Sequence, residues 1–309
     1  MGGYHRGELA VQERAGLARR AASAERAIRS DIPEVAAEFL GRQPFLVVGG
    51  ADRQGRIWAT QLTGEPGFLA VPAPDVLTVD ALPLPDDPLA GLLSGAGGAG
   101  PARIGMIAIE PATRRRMRMN GRAVRDGRGL RVALDQAVAN CPKYIQERHP
   151  HRIAPGEAGG QRRGATDGDA LSPAQQEALR AADTFFVATA SDRGDADASH
   201  RGGNPGFVQV VTDRLLRWPD YAGNGMFLTL GNLELNPAAG LFVPDWGTGS
   251  ALHLTGFART VWDADEVARV PGAERLVEFE ITAVREVAAT SPLRWSAPAF
   301  HRFNPPVAS

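Results

Sequence analysis

A turn motif that occurs twice limits the folds available to this 309-residue chain. Residues 64–68 read Gly-Glu-Pro-Gly-Phe and residues 203–207 read Gly-Asn-Pro-Gly-Phe, and each copy follows a strand-turn-strand pattern. The match continues downstream, because residues 117–123 (Met-Arg-Met-Asn-Gly-Arg-Ala) have a counterpart in residues 252–258 (Leu-His-Leu-Thr-Gly-Phe-Ala). Both downstream segments alternate apolar and polar residues, as half-buried barrel strands do. We therefore expect two copies of one β fold.

The repeats and their flanks predict four segments. Residues 1–40 mix apolar side chains with charges, which indicates helices interrupted near Pro33. Residues 41–150 form the first predicted copy, and residues 151–170 are rich in Gly, Arg and Asp, as exposed linkers are. Residues 171–309 form the second predicted copy, which begins with a helix start because Ser172 precedes a proline.

Strand patterns dominate the first copy. Residues 45–48 are a buried-strand run, residues 52–55 a turn and residues 56–60 an outgoing strand, so that a β-hairpin is expected. Residues 130–145 instead suggest a helix that contains the single cysteine, Cys141. The 36 glycines and 23 prolines also favour turns over long helices. The fold class is therefore expected to be mainly β with flanking helices (α+β).

Composition limits the compartment and the partners. A formal net charge of −1 provides no global field for nucleic acid or for an anionic membrane. No apolar stretch approaches the ~18 residues that span a bilayer, and residues 1–40 carry scattered charges where a secretion signal would need an apolar core. One cysteine cannot form an intrachain disulfide. The composition predicts a cytoplasmic protein without nucleic-acid or membrane partners.

One cluster in the second copy has the chemistry of an anion site. Ser199, His200 and Arg201 stand directly before Gly202, so that a hydroxyl, an imidazole and a guanidinium lie beside glycines. Arg offers a planar fork of donors to a phosphate, and Gly lets backbone N–H groups approach it closely. A strand end followed by a Gly-Pro turn, with Arg201 solvated, explains the same residues. On this cluster alone, that structural interpretation is favoured over an anion site.

A second segment changes that balance. Residues 218–227 read Trp-Pro-Asp-Tyr-Ala-Gly-Asn-Gly-Met-Phe. They are followed by a short helix start and then by Asn236-Pro237. Together the two segments resemble the FMN-binding split-barrel family related to pyridoxamine 5'-phosphate oxidase. Members of that family read a Ser-x-Arg-Gly turn, an aromatic-Pro-Asp-x-x-Gly-Asn loop and a Leu-x-x-Asn-Pro helix end in this order. The similarity covers nearly the whole chain and implies two tandem split β-barrels packed as an intramolecular pseudo-dimer, with FMN as the cofactor.

The resemblance also implies site residues. Carried over by position, those at the ribityl phosphate are Ser199, His200 and Arg201, those along the flavin edge are Tyr221 and Asn224, and those at the start of the phosphate-facing helix are Thr229 and Asn232. Gly202 and Pro219 are further cofactor-binding residues. Oxidases of this superfamily usually carry Lys where Thr229 stands. That departure implies a weaker phosphate contact or compensation by another arginine.

Two arginines of the first copy complete the predicted site. In the superfamily a partner subunit lends a strand of Arg-Gln-x-Arg type before a Gly, and Arg116 and Arg118 stand before Gly121 here. Our hypothesis is one flavin per chain, with the first copy reaching across the pseudo-dimer interface. An arginine near the flavin N1 and O2 edge would stabilise the anionic reduced form. The alternative makes this a solvated basic strand or a set of ion-pair partners.

Three functions remain open. The expectation is an FMN-dependent oxidoreductase that acts on a small organic substrate or on a nicotinamide donor such as NAD(P)H. The alternatives are a non-catalytic flavin-binding or electron-transfer module that works with a separate reductase, and a haem-binding split barrel with His200 or His253 as axial ligand. No catalytic residue is assigned, although Lys143 or Tyr144 could line the substrate pocket. A monomer with an internal pseudo-dimer and a homodimer are both compatible with the sequence.

Metal chemistry is not predicted. The chain lacks His-Glu-x-x-His, Cys-x-x-Cys, Gly-x-Ser-x-Gly and phosphate-loop motifs. His149 and His151 flank a proline in an Arg-rich stretch, where histidines are more often solvated than metal-bound. Cys141 is interpreted as a small buried hydrophobe.

Overall fold

The computed structural model describes residues 3–94, 100–139, 141–154, 164–223 and 225–307. The helices in these ranges are α1 (Arg6–Arg14), α2 (Ala18–Glu25), α3 (Glu34–Gly41), α4 (Ala90–Leu93), α5 (Pro173–Ala181), α6 (Leu228–Leu235) and α7 (Ala264–Ala268), with a 3-10 turn at Pro111–Thr113. The strands of the first half are β1 (Phe45–Ala51), β2 (Ile57–Thr63), β3 (Leu69–Ala73), β4 (Val76–Val79), β5 (Ala102–Glu110), β6 (Arg115–Asp126) and β7 (Gly129–Ala139). The remaining strands are β8 (Pro150–Arg152), β9 (Ala165–Gly168), β10 (Thr184–Ala190), β11 (Ala196–Gly202), β12 (Gln209–Thr212), β13 (Leu215–Tyr221), β14 (Ala238–Pro244), β15 (Ala251–Val261), β16 (Ala273–Val287) and β17 (Leu293–Trp295).

The strands form two large antiparallel sheets with the same internal order. The first runs β2-β1-β5-β6-β7-β4-β3 and the second runs β11-β10-β14-β15-β16-β13-β12, with β9 added at β16. Both carry a register shift at matching places, between Asn120 and Gly121 in the first sheet and between Thr255 and Gly256 in the second. The mainly β fold with flanking helices, made of two split barrels packed as a pseudo-dimer, is confirmed.

Three apolar clusters hold this architecture together. Leu77 and Met106 belong to the core of the first barrel, and Phe185 and Trp218 to that of the second. A third cluster lies between the barrels and includes side chains from both, such as Phe45, Ile107, Phe186, Phe242 and Trp295. Burying one such aromatic or aliphatic side chain contributes about 1.5–3 kcal/mol. The barrel-barrel contact is therefore a core in its own right.

Glycines permit the closest approach of the two sheets. A Cβ at Gly105 of β5 would overlap the backbone of Asp197 on β11. A Cβ at Gly240 of β14 would likewise overlap the backbone of Trp58 on β2. Because only glycine fits at both positions, strands from opposite sheets touch there through their main chains.

The local predictions have mixed outcomes. The β-hairpin is confirmed, since β1 and β2 pair antiparallel around the turn at residues 52–55. The helix start at Ser172 is also confirmed, because the Ser172 side chain accepts from the N–H of Gln175 in a capping box. Residues 6–41 form three helices, and Pro33 is the N-cap of the third.

The helix predicted for residues 130–145 is wrong. Residues 129–139 form strand β7, in which Leu130, Val132 and Leu134 are buried while Arg131 and Asp135 are exposed. This period of two belongs to a strand, and pairing with β6 and β4 fixes it. Cys141 consequently lies in the loop after β7 and not in a helix.

The predicted linker, residues 151–170, is mostly exposed where the structure describes it, but its ends are paired. Strand β8, at its start, pairs with β17, and β9, near its end, pairs with β16. Residues 155–163 lie outside the described part of the chain. None of the described helices has the length and apolar character that crossing a membrane requires.

Candidate functional site

A pocket of about 120 Å³ opens between the two sheets. Its walls come from β6 of the first sheet, from β11, β13 and β16 of the second, from the start of α6 and from residues 141–144. The predicted site residues that line it are Arg116, Arg118, Ser199, His200, Arg201, Gly202, Pro219, Tyr221 and Thr229. Lys143 and Tyr144, predicted for the substrate pocket, line it as well.

One predicted residue, Asn232, is not part of this wall. Asn232 lies on α6 behind the pocket, where its amide nitrogen donates to Thr189 Oγ1 at 3.0 Å and its amide oxygen is 2.9 Å from His5 Nε2. These bonds join α6 to β10 and to the N-terminal segment. Asn224 lies outside the described residues.

His200 connects the two sheets at the floor of the pocket. Arg116 Nη1 lies 2.9 Å from His200 Nδ1. Because a guanidinium only donates, Nδ1 must accept, which leaves the ring neutral with its proton on Nε2. Burial, with Arg116 and Arg201 nearby, holds the pKa of His200 well below its usual value. The imidazole therefore orients Arg116 and adds no charge.

Arg116 and Arg201 bring positive charge to the pocket, and the carboxylates of Asp220 and Asp197 act on Arg201 only electrostatically, without a direct ion pair. Within the described ranges neither guanidinium forms an ion pair, and Arg116 Nε is buried without a hydrogen-bond partner. Arg201 Nη1 donates to Ser199 Oγ at 2.5 Å and to the His200 carbonyl at 3.1 Å. Burial, reinforced by Arg201 and Arg118, lowers the pKa of Arg116 to about 9. An anion bound beside these two arginines would stabilise this arrangement.

Arg118 differs from its neighbour because an acid already neutralises it. Its guanidinium grips both carboxylate oxygens of Asp197, with Nε 3.0 Å from Oδ1. Thr229 Oγ1 donates to Asp197 Oδ2 at 3.3 Å from the start of α6. The ion-pair alternative from the sequence therefore describes Arg118, while Arg116 remains free to meet a ligand.

Asp197 was not among the predicted site residues. It stands two residues before Ser199 and four before Arg201, so all three share one face of β11. That spacing was the available signal. The decisive contact, an acid of the second sheet against an arginine of the first, spans 79 residues of sequence and leaves no local pattern.

Helix α1 also contributes to the site from behind. Gly7 packs so tightly on Gly231 of α6 that a Cβ on either would overlap the other helix. This contact buries Glu8, whose pKa is raised to about 8 mainly by burial and further by the charge of Asp197. Arg118 opposes that shift. The charges of Glu8, Asp197 and Arg118 thus act on one another.

An aromatic rim surrounds the pocket mouth. The rings of Tyr144 and Tyr221 lie 5.0 Å apart, and Tyr144 Oη donates to the Ala222 carbonyl at 3.2 Å. Burial and the neighbouring Tyr144 raise the pKa of Tyr221 to about 12, so both phenols are neutral at pH 7. Tyr144 and Phe227 adopt left-handed backbone conformations, with φ of 67° and 57°. Such strain is common at ligand sites.

A second ion pair, also missed from the sequence, braces this rim. Arg275 Nε donates to Asp220 Oδ2 at 3.0 Å, and the guanidinium carbon lies 4.7 Å from the Phe227 ring centroid. Arg275 is buried, and these contacts hold Phe227 and strand β13 in place.

Metal-binding geometry is not seen in the described ranges, where no group of three or more His, Cys, Asp or Glu side chains could hold an ion. His149 has a side chain that is 68% exposed.

Comparison with known proteins gives one family match. Residues 171–292 match the model of the pyridoxamine 5'-phosphate oxidase family. None of the curated proteins matches the sequence.

Solved structures with similarity to this chain include two FAD-binding proteins. The one from Mycobacterium smegmatis is 16% identical over 39% of this chain and 99% of that protein, with a TM-score of 0.28. The one from Mesorhizobium loti is 15% identical over 40% of this chain and 98% of that protein, with a TM-score of 0.28. HupZ from Group A Streptococcus is 12% identical over 36% of this chain and 90% of its own, with a TM-score of 0.29.

Proposed function

Because the chain belongs, through residues 171–292, to the pyridoxamine 5'-phosphate oxidase family, we propose that it is a flavoprotein that binds FMN in the pocket between its two sheets. The observation that carries the proposal is a pair of guanidinium groups that form no direct ion pair among the described residues, Arg116 from the first sheet and Arg201 from the second. They line the same pocket as the neutral His200 and the Ser199 hydroxyl.

The charge balance fits a phosphate monoester. Such a group carries about two negative charges near pH 7 and accepts several hydrogen bonds. Arg116 and Arg201 match the charge, and the orphaned Nε of Arg116 is a donor available to it. Since Asp197 already neutralises Arg118, that arginine links the two sheets through an ion pair. Two arginines in this pocket supply the cationic contact that the Lys-to-Thr departure at position 229 removes.

The remainder of the pocket suits a planar ring system. Tyr144, Tyr221 and Phe227 offer flat apolar surface next to the basic end. When bound, FMN supplies hydride and electron transfer. The protein binds it, limits the access of water and controls which molecules reach it. We propose an FMN-dependent oxidoreductase that acts on a small organic substrate or on a nicotinamide donor.

The first test is the absorbance spectrum of the purified protein, followed by titration with FMN. Arg201→Ala and Arg116→Ala should each weaken FMN binding by about 10- to 100-fold, because each removes charge-assisted hydrogen bonds worth about 1.5–3 kcal/mol. Arg122→Ala is the matched control. It removes an arginine of the same strand, β6, whose pair with Asp135 is exposed, and should leave binding unchanged.

Three results would count against the proposal. The wild-type protein could fail to bind FMN at micromolar concentrations, all three variants could bind equally, or a Soret band could reveal haem. Bleaching of the flavin by NAD(P)H under anaerobic conditions would support turnover. A bound flavin that NAD(P)H alone cannot reduce would favour the electron-transfer module with its separate reductase.

A further inference from the structure

The registers of the two sheets define which residues correspond. In the first sheet Arg118 pairs with Ile107 and stands two residues before the shift at Asn120. In the second sheet His253 pairs with Phe242 and stands two residues before the shift at Thr255. His253 is therefore the structural counterpart of Arg118.

The neighbouring strands give further equivalences. Strands β1 and β2 form a seven-pair ladder from Phe45 to Ala51, and β10 and β11 form one from Thr184 to Ala190. When these two ladders are aligned, Trp58 is equivalent to Asp197, Thr60 to Ser199 and Leu62 to Arg201. The glycine contacts agree, because Gly105 meets Asp197 and Gly240 meets Trp58. An approximate twofold axis thus relates the pocket to a twin position on the other side of the interface.

The twin position has lost the basic groups of the pocket. Leu62 stands in the place of Arg201, Ala251 in that of Arg116, and Trp58 in that of the acid Asp197. All three are buried. Trp58 and Leu62 pack in one apolar cluster with Leu89 and Leu93, which come from the segment around α4. The chain itself fills this space.

The same segment inserts one polar side chain, Asp87, which is 7% exposed. The Thr60 hydroxyl donates to Asp87 Oδ2, and the N–H of Leu89 donates to Oδ1 at 2.8 Å. His253 acts on Asp87 electrostatically, and its Nδ1 donates to the Ala59 carbonyl at 2.9 Å. Asp87 is therefore held by the hydroxyl of Thr60, the counterpart of Ser199, and by the Leu89 N–H, while His253, the counterpart of Arg118, acts on it only electrostatically.

The surroundings suit a group that carries little charge. Burial raises the pKa of Asp87 and lowers that of His253, so both are driven towards their neutral forms. A phosphate dianion would be costly to bury where the arginines are missing, whereas a carboxyl group with two donors is not.

We infer that the carboxyl group of Asp87 occupies the twin of the phosphate position as a built-in substitute ligand, and that the chain therefore binds one FMN and not two. The inference rests on the proposed function for its account of the open pocket. It goes further because it assigns a role to Asp87, Thr60 and His253 and gives a structural reason for a single flavin per chain.

The stoichiometry separates the two ideas. Saturating the wild-type protein with FMN, with free cofactor removed, should leave one FMN per chain. Two per chain would overturn the inference and still agree with the proposed function. No bound FMN would overturn the proposed function and the predicted stoichiometry together, and the role of Asp87 would then be decided by the next measurement alone.

The second measurement is thermal unfolding of Asp87→Ala, with Asp86→Ala as the control. Asp86 is the exposed neighbouring acid, and its loss should leave Tm within about 1–2 °C of wild type. Asp87→Ala leaves buried donors unpaired and should lower Tm by about 5 °C or more. Formate should restore part of that loss saturably, and chloride at equal ionic strength should not. Equal Tm values for the two variants, or no difference between formate and chloride, would overturn the assignment. If Asp87→Ala does not fold, the wild-type stoichiometry decides.

Discussion

Replacing Asp197 by alanine should lower the free energy of unfolding by about 3–5 kcal/mol. Asp197 is buried, and it is the acid that neutralises Arg118 across the interface between the sheets. Its removal leaves a buried guanidinium with only Thr229 Oγ1, 3.5 Å away, as a hydrogen-bond partner among the described residues. The expected effect is mostly the cost of that uncompensated charge.

The neighbouring acid Asp195 provides a matched control. It also pairs with an arginine of the first sheet, Arg103, but the two side chains are 59% and 50% exposed. Exposed pairs contribute about 0–1 kcal/mol, because water and salt screen them. Urea unfolding followed by tryptophan fluorescence should therefore separate Asp197→Ala from Asp195→Ala. Similar small losses for both variants would mean that the Arg118–Asp197 pair is not the main polar link between the barrels.

Replacing Glu8 by glutamine should make the protein more stable than wild type at pH 8 but not at pH 5. The pKa of Glu8 is about 8 in the folded protein, against an ordinary value of 4.5. Between these two values the unfolded chain has lost the proton that the folded chain retains, so wild-type stability falls as pH rises through this window. Below about pH 4.5 the contribution of Glu8 is fully present. Glutamine carries no such dependence.

The difference in unfolding free energy between Glu8→Gln and wild type should grow by ~3 kcal/mol from pH 5 to pH 8. Urea titrations at several pH values measure it, and subtracting wild type cancels the other titrating groups. Glu13→Gln, on the exposed side of the same helix, should show no such trend. A pH-independent difference for Glu8→Gln would show that water reaches the carboxylate between α1 and α6.

Much of the site was visible in the sequence because its residues are grouped locally. Ser199, His200 and Arg201 are consecutive on one strand, and Pro219 and Tyr221 are close together on another. Arg116 and Arg118 share one face of β6. Asn232 shows the limit of this reasoning. Its place on α6 was predicted, but its side-chain amide forms hydrogen bonds with Thr189 and His5 behind the pocket.

Strong local signals were enough to predict the hairpin at residues 52–55, the capped helix at Ser172 and the alternation of most strands. The helix prediction for residues 130–145 overlooked the alternation of Leu130, Val132 and Leu134, which is a strand pattern that pairing with β4 and β6 fixes. Tertiary structure alone decided that Arg118 meets Asp197, that Glu8 is buried under α6 and that Asp87 closes the twin position. Each of these depends on contacts between elements that are far apart in sequence. Burial and long-range pairing set the charge and the partner of each side chain, and local sequence patterns do not encode such contacts.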